Sequence, residues 1–398
     1  MRNRQWVYQL ASFLSMIFMT PLAVSADHWQ MNMYRGVTPI SHDIYQLHVI
    51  AMIVCAVIGV AVFGVMIYAL IYHRKSRGHA PAEFHENLKV EIIWTVIPFL
   101  ILVGLAIPAT RVLMRMDNSD NSELTIKIVG YQWKWQYQYL DQDIRFYSNL
   151  STPYAAIRNK QPKSEWYLLE VDRPLVVPTH TKIRFLVTSN DVIHSWWVPE
   201  LGVKRDAIPG FMHEAWANID TPGVYRGQCA ELCGIYHAFM PIVVKAVPPE
   251  EFKAWVKAQQ AQQKLALERQ SQPQPDMERD ALMDLGKHKY EQFCAACHLS
   301  NGLGMPPVYP ALKGSSVAVG YPISRHIDII LNGVPGSAMQ AFADQLTDDE
   351  IAAVTTYVRN AWKNNTYDIV QPNDVRAVRL SQETKPKLVK KAQVGGFQ

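Results

Sequence analysis

The stretch "GQCAELCGIYHAFMP", Gly227 to Pro241, gathers Cys229, Cys233, His237 and Met240 into one short run. Cys229 and Cys233 are four positions apart, His237 lies four further on and Met240 three beyond that, so one tight loop can present all of them to a single centre. Zinc is the first candidate for two cysteines with histidine. A thioether is a poor zinc ligand, however, whereas sulfur, imidazole and an axial methionine suit copper in electron-transfer sites. One more imidazole is then needed. "NDVIHSWWVPELGVKRDAIPG", Asn190 to Gly210, supplies His194 from a separate loop.

Both stretches sit in a strand-rich region. Residues 114 to 250 carry alternating runs such as "ELTIKIVGYQWKWQYQYL", "LVVPTHTKIRFLVTS" and "MPIVVKAVP", divided by Pro, Asn and Asp, which predicts a small β-sandwich or barrel over 114–256. Within it "YQWKWQYQY" alternates strictly. Its period predicts one strand with Tyr131, Trp133, Trp135, Tyr137 and Tyr139 on one face and Gln132, Lys134, Gln136 and Gln138 on the other.

Ahead of this domain the chain reads as a membrane anchor. Met1 to Ala26 has Arg2 and Arg4, an apolar run and then "AVSA", the pattern of a signal peptide over 1–26. Two apolar stretches, 45–73 and 91–113, are each long enough for the roughly 30 Å hydrocarbon core of a bilayer and predict a transmembrane hairpin within 27–113. Arg74, Lys75, Arg77 and Lys89 lie between them against Glu83 and Glu86, so the connection faces the cytoplasm and everything after Leu113 lies outside. Pro98 and Pro108 fall in the second span, which points to a membrane partner that satisfies the freed carbonyls. The net charge of +4 is small, with no basic stripe for nucleic acid.

An exported chain invites disulfides. Here Cys55 lies mid-span, and the other four cysteines form two close pairs, each beside histidine. The second pair is in "CAACH", Cys294 to His298, the attachment pattern of c-type haem: two thioethers to the porphyrin and a proximal histidine on iron. Helical periodicity surrounds it over 281–363, from "ALMDLGKHKYEQF" to "LTDDEIAAVTTYVRNAW", where Thr347 predicts an N-cap. Met305 and Met339 are candidates for the second axial ligand; Met305 follows His298 too closely to swing to the opposite haem face, which favours Met339. "PPEEFKAWVKAQQAQQKLALERQ" reads as a helix broken by "SQPQPDMERD", and the Gln-rich segment 257–280 as the interdomain linker. Residues 364–398 read as a weakly ordered basic tail.

The pair "HSWWVP" and "GQCAELCGIYHAFMP" closely resembles subunit II of cytochrome c oxidase in its binuclear copper (CuA) domain, and the likeness extends through the hairpin over roughly residues 40 to 256. The "CAACH" segment resembles class I cytochromes c, and the fusion is similar to the caa-type haem–copper oxidases. The resemblance implies a cupredoxin-like domain followed by an all-α cytochrome c domain, on a bacterial inner membrane with both soluble domains outside. It implies that Cys229 and Cys233 bridge two coppers, that His194 and His237 each terminate one, that Met240 binds one weakly and that Glu231 gives its carbonyl to the other. Sharing an electron over two metals keeps reorganisation small.

Further roles come with the resemblance alone. The Glu231 side chain would reach a magnesium ion shared with the catalytic subunit, a hard cation suited to carboxylate. Lys204 and Asp206 would belong to the surrounding polar network, and Trp133 would be where electrons come in. Lys134 stands where many relatives have an aromatic; a cation there would repel the basic face of a soluble cytochrome c, as if the surface had adapted to the tethered haem domain. Glu91 would stand at the mouth of a proton path, although an acid at a helix start is favoured by the helix dipole alone.

The implied partners are catalytic subunit I, subunit III, the membrane, and a cytochrome c or other cytochrome donor fed by quinol. Electrons would pass through haem c and CuA to the catalytic subunit for oxygen reduction coupled to proton translocation. A CuA-bearing nitric oxide reductase subunit and a copper-delivery protein stand as alternatives; quinol oxidase subunits lack the copper ligands found here.

Overall fold

The computed structural model describes residues 32–78, 80, 83 and 85–383, so the signal sequence expected at 1–26 lies outside the described residues. Two helices are long and apolar enough to cross a membrane, α1 (Pro39–Tyr72) and α2 (Leu88–Asp117). Their side chains are turned outward, Val60 at 75% and Leu102 at 66% exposure, as expected where lipid replaces a protein core. Asn87 caps α2 by accepting the Val90 amide at 3.3 Å, and Pro98 and Pro108 lie inside the helix.

From Tyr45 onward α1 belongs to one compact unit; Gly36–Ile44 and the rest of the chain from residue 81 form the second. In that second unit the start of α1 is tied to the β-domain: the Val37 amide donates to the Glu200 carbonyl at 2.9 Å, and Thr38 Oγ1 to the Leu201 carbonyl at 2.9 Å. Gly36 makes this approach possible. Its φ is +75°, and a Cβ there would lie 2.5 Å from the Glu200 oxygen.

The β-domain is a sandwich of two five-stranded sheets. One has the order β3 (Ile144–Ser148), β2 (Lys134–Tyr139), β1 (Leu124–Tyr131), β5 (Lys182–Ser189), β8 (His213–Asn218). The other runs β4 (Leu175–Pro178), β10 (Pro241–Val247), β9 (Gly223–Cys229), β6 (His194–Val198), β7 (Val203–Ala207). Ile126, Ile128, Tyr137 and Phe185 meet Trp196, Val198, Ile242 and Val244 in its core, the alternate-residue burial expected of two facing sheets.

The single aromatic strand expected at 131–139 is not formed. β1 ends at Tyr131, a turn at Gln132–Trp133 reverses the chain, and β2 pairs back antiparallel with Tyr131 opposite Lys134 and Gly130 opposite Trp135. Directly opposed residues share a face, so the turn inverts the parity: Tyr131 joins Lys134 and Gln136, while Trp135, Tyr137 and Tyr139 join Ile126 and Ile128 in the core. Trp133 is left in the turn.

Helix α3 (Pro249–Ser271) begins against the sandwich, with the Phe252 and Trp255 rings 6.2 and 5.1 Å from Tyr139. This is the helix expected at 248–270, so the first part of the expected linker is helical, and residues 272–278 carry no regular secondary structure. The C-terminal domain packs α4 (Arg279–Phe293), α5 (Ile323–Asn332) and α6 (Asp348–Asn360) around Leu282, Tyr290, Ile327, Leu331 and Ile351. Gly286 permits close crossing of α4 and α6, because a Cβ there would strike the Ala353 carbonyl. Thr347 caps α6 in a capping box with Glu350.

The segment expected to begin a loose tail holds structure instead. Val370 and Val375 are buried, α7 (Pro372–Glu383) follows, and Arg379 pairs with the buried Asp348 at 2.9 Å. Apolar contacts at two positions outweigh the basic, polar composition that suggested disorder; residues 384–398 lie outside the described residues.

Candidate metal centre and haem-attachment site

β9 ends at Cys229 and β10 starts at Pro241, and the loop between them folds back to put its ligand types at one point. Cys229 Sγ lies 3.8 Å from Cys233 Sγ and 4.0 Å from His194 Nδ1, the latter carried by the adjoining strand β6. Cys233 Sγ is 3.4 Å from His237 Nδ1 and 3.6 Å from Met240 Sδ. The Glu231 carbonyl turns inward, 3.4 Å from Cys229 Sγ, while the residue itself is exposed. His194, Cys229, Cys233 and Met240 are buried. All six residues expected at the centre are thus brought together. Lys204 and Asp206 are exposed on β7, opposite Trp197 and Ser195.

The donor set fits soft cations. Cys229 is pushed down to about 4, chiefly by its hydrogen bond with Cys233 and further by His194, and Cys233 is pushed up, chiefly by its hydrogen bond with Cys229. Two sulfurs this close resist ionising together, and bridging cations remove that repulsion. Burial disfavours a charged His194, but hydrogen bonds with Asp191 and Cys229 outweigh it and raise its pKa.

Asp191 was not expected from the sequence. Its Oδ1 is 2.8 Å from His194 Nε2, which orients the ring with Nδ1 toward the sulfurs, and only its place three residues before His194 hinted at this. Gly130 is the second omission: a Cβ there would come within 2.8 Å of His194 Cδ2. The β1–β2 turn also holds the metal loop. Gln132 Nε2 and Trp133 Nε1 both donate to the Cys233 carbonyl, at 2.9 and 3.1 Å, and the Trp133 ring lies 5.3 Å from Tyr236. Lys134, expected on an open face, is 4% exposed.

In the helical domain Cys294 caps α4, and Cys297 and His298 follow in a single turn, Ala295–His298. His298 Nδ1 meets the Pro310 carbonyl at 2.9 Å, which leaves Nε2 as the nitrogen available to a metal, and burial lowers its pKa. Burial pushes Cys294 up to about 12 and Cys297 up to about 11, as in a pocket that favours sulfur in uncharged, covalently capped form. Met305 pairs its backbone with Tyr309, in the loop that carries Pro310. Met339 lies in a different loop, packed against the domain core and pinned where the Val334 amide donates to its carbonyl at 2.8 Å. In α2, Glu91 Oε1 accepts the Asn87 amide at 3.4 Å at the helix start.

A membrane-anchored cupredoxin-like domain with a copper-type ligand set, joined to a helical domain with a haem-attachment motif, defines an electron-transfer protein. Residues 124–247 match the family profile "Cytochrome C oxidase subunit II, periplasmic domain", residues 26–112 match "Cytochrome C oxidase subunit II, transmembrane domain", and residues 281–358 match "Cytochrome C oxidase, cbb3-type, subunit III". A "Probable cytochrome c oxidase subunit 2" from Rickettsia bellii is 41% identical over 229 residues, 57% of this chain and 83% of that protein. The mitochondrial cytochrome c oxidase subunit 2 of Glycine max is 39% identical over 59% of this chain and 60% of its own length. The solved periplasmic domain of subunit II of cytochrome oxidase (CoxB) from Bradyrhizobium japonicum is 42% identical, with a TM-score of 0.32 over 36% of this chain and 99% of that one. The chain belongs to the cytochrome c oxidase subunit 2 family, with a cytochrome c domain fused behind it. Family membership implies CuA and the cytochrome domain implies haem c, which places the chain among oxidase subunits rather than copper-delivery proteins.

Proposed function

We propose that this chain is the electron-input subunit of a caa-type haem–copper oxidase in a bacterial inner membrane, working beside catalytic subunit I and subunit III. The observation that carries the assignment is the convergence of His194, Cys229, Cys233, His237, Met240 and the Glu231 carbonyl on one point. In this reading Cys229, Cys233, His194, His237, Met240 and the Glu231 carbonyl would together hold the two coppers of CuA. Cys294 and Cys297 would hold haem c covalently, and His298 and Met339 would be its iron ligands. When bound, these groups supply one-electron redox chemistry for oxygen reduction in the catalytic subunit.

The protein's own part is to hold and insulate. Asp191 fixes the His194 ring, the Pro310 carbonyl fixes His298, and Trp133 with Gln132 braces the Cys233 carbonyl on the side where electrons come in. The exposed Glu231 side chain is assigned to a magnesium ion at the boundary with subunit I, and Glu91 to the proton-path mouth. Support for these two roles is the family pattern, since the helix start already accounts for the Glu91 carboxylate. A cytochrome c-type protein is the donor.

Purification of the intact membrane complex, with metal and haem analysis and consumption of oxygen against nitric oxide from reduced cytochrome c, tests this function. Two coppers and one covalent haem in this subunit, with oxygen consumed, are expected. Fewer than two coppers would overturn the assignment, and a preference for nitric oxide would move the chain to the reductase branch.

A further inference from the structure

Lys134 is a lysine with almost no solvent contact and, among the described residues, no carboxylate within ion-pair distance. Its ammonium donates to Gln345 Oε1 and lies 4.9 Å from the Phe342 ring centroid and 5.2 Å from that of Tyr147. Gln345 and Phe342 belong to the cytochrome domain, Tyr147 to the sandwich. A side-chain amide and two aromatic faces are what make burial of this cation tolerable. The amide and one of the two rings around it come from the cytochrome domain.

Two more contacts join the same two stretches. Gln340 Nε2 donates to the Gln132 carbonyl at 3.1 Å, and Arg145 Nη2 pairs with Asp344 Oδ2 at 2.9 Å with both side chains about half exposed. On one side all three contacts fall on residues 340–345, directly after Met339. On the other they fall on the β1–β2 hairpin and its neighbour β3, the hairpin whose turn donates twice to the Cys233 carbonyl.

The connecting segment is anchored at both ends. Gln260 Nε2 donates to the Gln142 carbonyl at 2.9 Å and Arg173 to Gln259 at 3.0 Å on the β-domain side. The Gln274 amide donates to Asn373 at 3.1 Å and the Met277 amide to Gln371 at 2.9 Å on the other. An exposed ion pair contributes only about 0–1 kcal/mol. With the partner held on the same chain, contacts that weak suffice, because docking involves no diffusional encounter.

We infer that Lys134, Gln132 and Arg145 on the β-domain and Gln345, Gln340 and Asp344 on the cytochrome domain form a latch that seats the chain's own cytochrome domain on the turn before Cys233 and closes that turn to a separate protein donor. The latch rests on the functional reading above, in which haem c feeds the copper centre, and adds to it the residues that position the cytochrome domain. It makes Lys134 and Arg145 positioning residues. A soluble cytochrome then delivers its electron to the tethered domain and not to the copper loop.

The test uses the full chain in its membrane complex, with Arg145→Glu, Asp344→Arg, the double exchange and Lys134→Met, each scored by haem and copper content and by light-triggered electron transfer from haem to copper. Each charge reversal should slow that transfer about three- to tenfold at low salt with both centres intact, and the double exchange should return it to within about twofold of the unaltered chain. Lys134→Met should slow it with little dependence on salt. Unchanged rates in the single reversals, or a double exchange no faster than the singles, would overturn the latch. Absence of copper or haem from the unaltered complex would overturn the functional reading instead.

Discussion

The indole N–H of Trp133 donates to the backbone carbonyl of Cys233 at 3.1 Å, on the same oxygen that accepts the Gln132 side-chain amide at 2.9 Å. Two donors on one carbonyl of the metal loop tie the surface turn to the centre beneath it. The Trp133 ring also packs against Tyr236, which follows in the same loop. One side chain thus braces the ligand loop and links it to the turn by a hydrogen bond and a ring contact.

Trp133→Phe keeps an aromatic ring and removes the donor. The loop should loosen by about 1 kcal/mol, the usual net worth of one hydrogen bond, and copper reduction should slow while copper content stays at two. Thermal bleaching of the copper absorbance and stopped-flow reduction measure the two effects. Reduction at the unaltered rate would remove Trp133 from the route.

Asp191→Asn leaves the shape of the His194 pocket and withdraws the carboxylate charge from Nε2. Outer partners of ligating histidines are typically worth about 10- to 100-fold in metal affinity, and a loss of that size is expected in competition with a copper chelator. Gly130→Ala should act on the same ring by crowding its Cδ2 edge. Copper retention equal to the unaltered chain in both variants would show that the ring needs no outside support.

The two methionines separate by the loops that carry them. Met305 belongs to the loop with Pro310, the residue that holds His298, whereas Met339 is carried between α5 and α6. Met339→Ala should therefore abolish the sulfur-to-iron charge-transfer band and lower the haem potential, and Met305→Ala should preserve both. The reverse pattern in the near-infrared spectrum would exchange the assignments.

His326 is buried in the helical domain with Nδ1 unpartnered, and burial, aided by the Arg359 charge, lowers its pKa to about 4 from 6.5. Above about pH 6.5 it is neutral in folded and unfolded chains alike. As pH falls from 6.5 toward 4 only the unfolded chain takes the proton, so stability drops across that window, by at most about 3 kcal/mol. His326→Phe should flatten this loss in urea unfolding compared at about pH 7 and about pH 5. An equal loss in the variant would assign the acid sensitivity elsewhere.

Much of this architecture is legible without coordinates. The two apolar spans, the strand-rich middle and the helical end follow from hydrophobic period and length, because each is a local property of the chain. Thr347 as the cap of α6 is legible for the same reason, since a capping box closes within one turn. Tyr131 was misplaced because alternation carries no mark of a turn: "YQWKWQYQY" keeps its period across Gln132–Trp133 while the pairing inverts its faces.

By itself the sequence determined which atoms are available as ligands, since "CAACH" and the Cys229, Cys233, His237, Met240 spacing are properties of short segments. Tertiary structure alone decided who supports them. Gly130 against the His194 ring, two donors on the Cys233 carbonyl and the burial of Lys134 under residues of the cytochrome domain all join segments distant in sequence. The physical reason is one of range: coordination motifs close over a few bonds, whereas orientation, burial and docking depend on which surfaces the completed fold sets face to face.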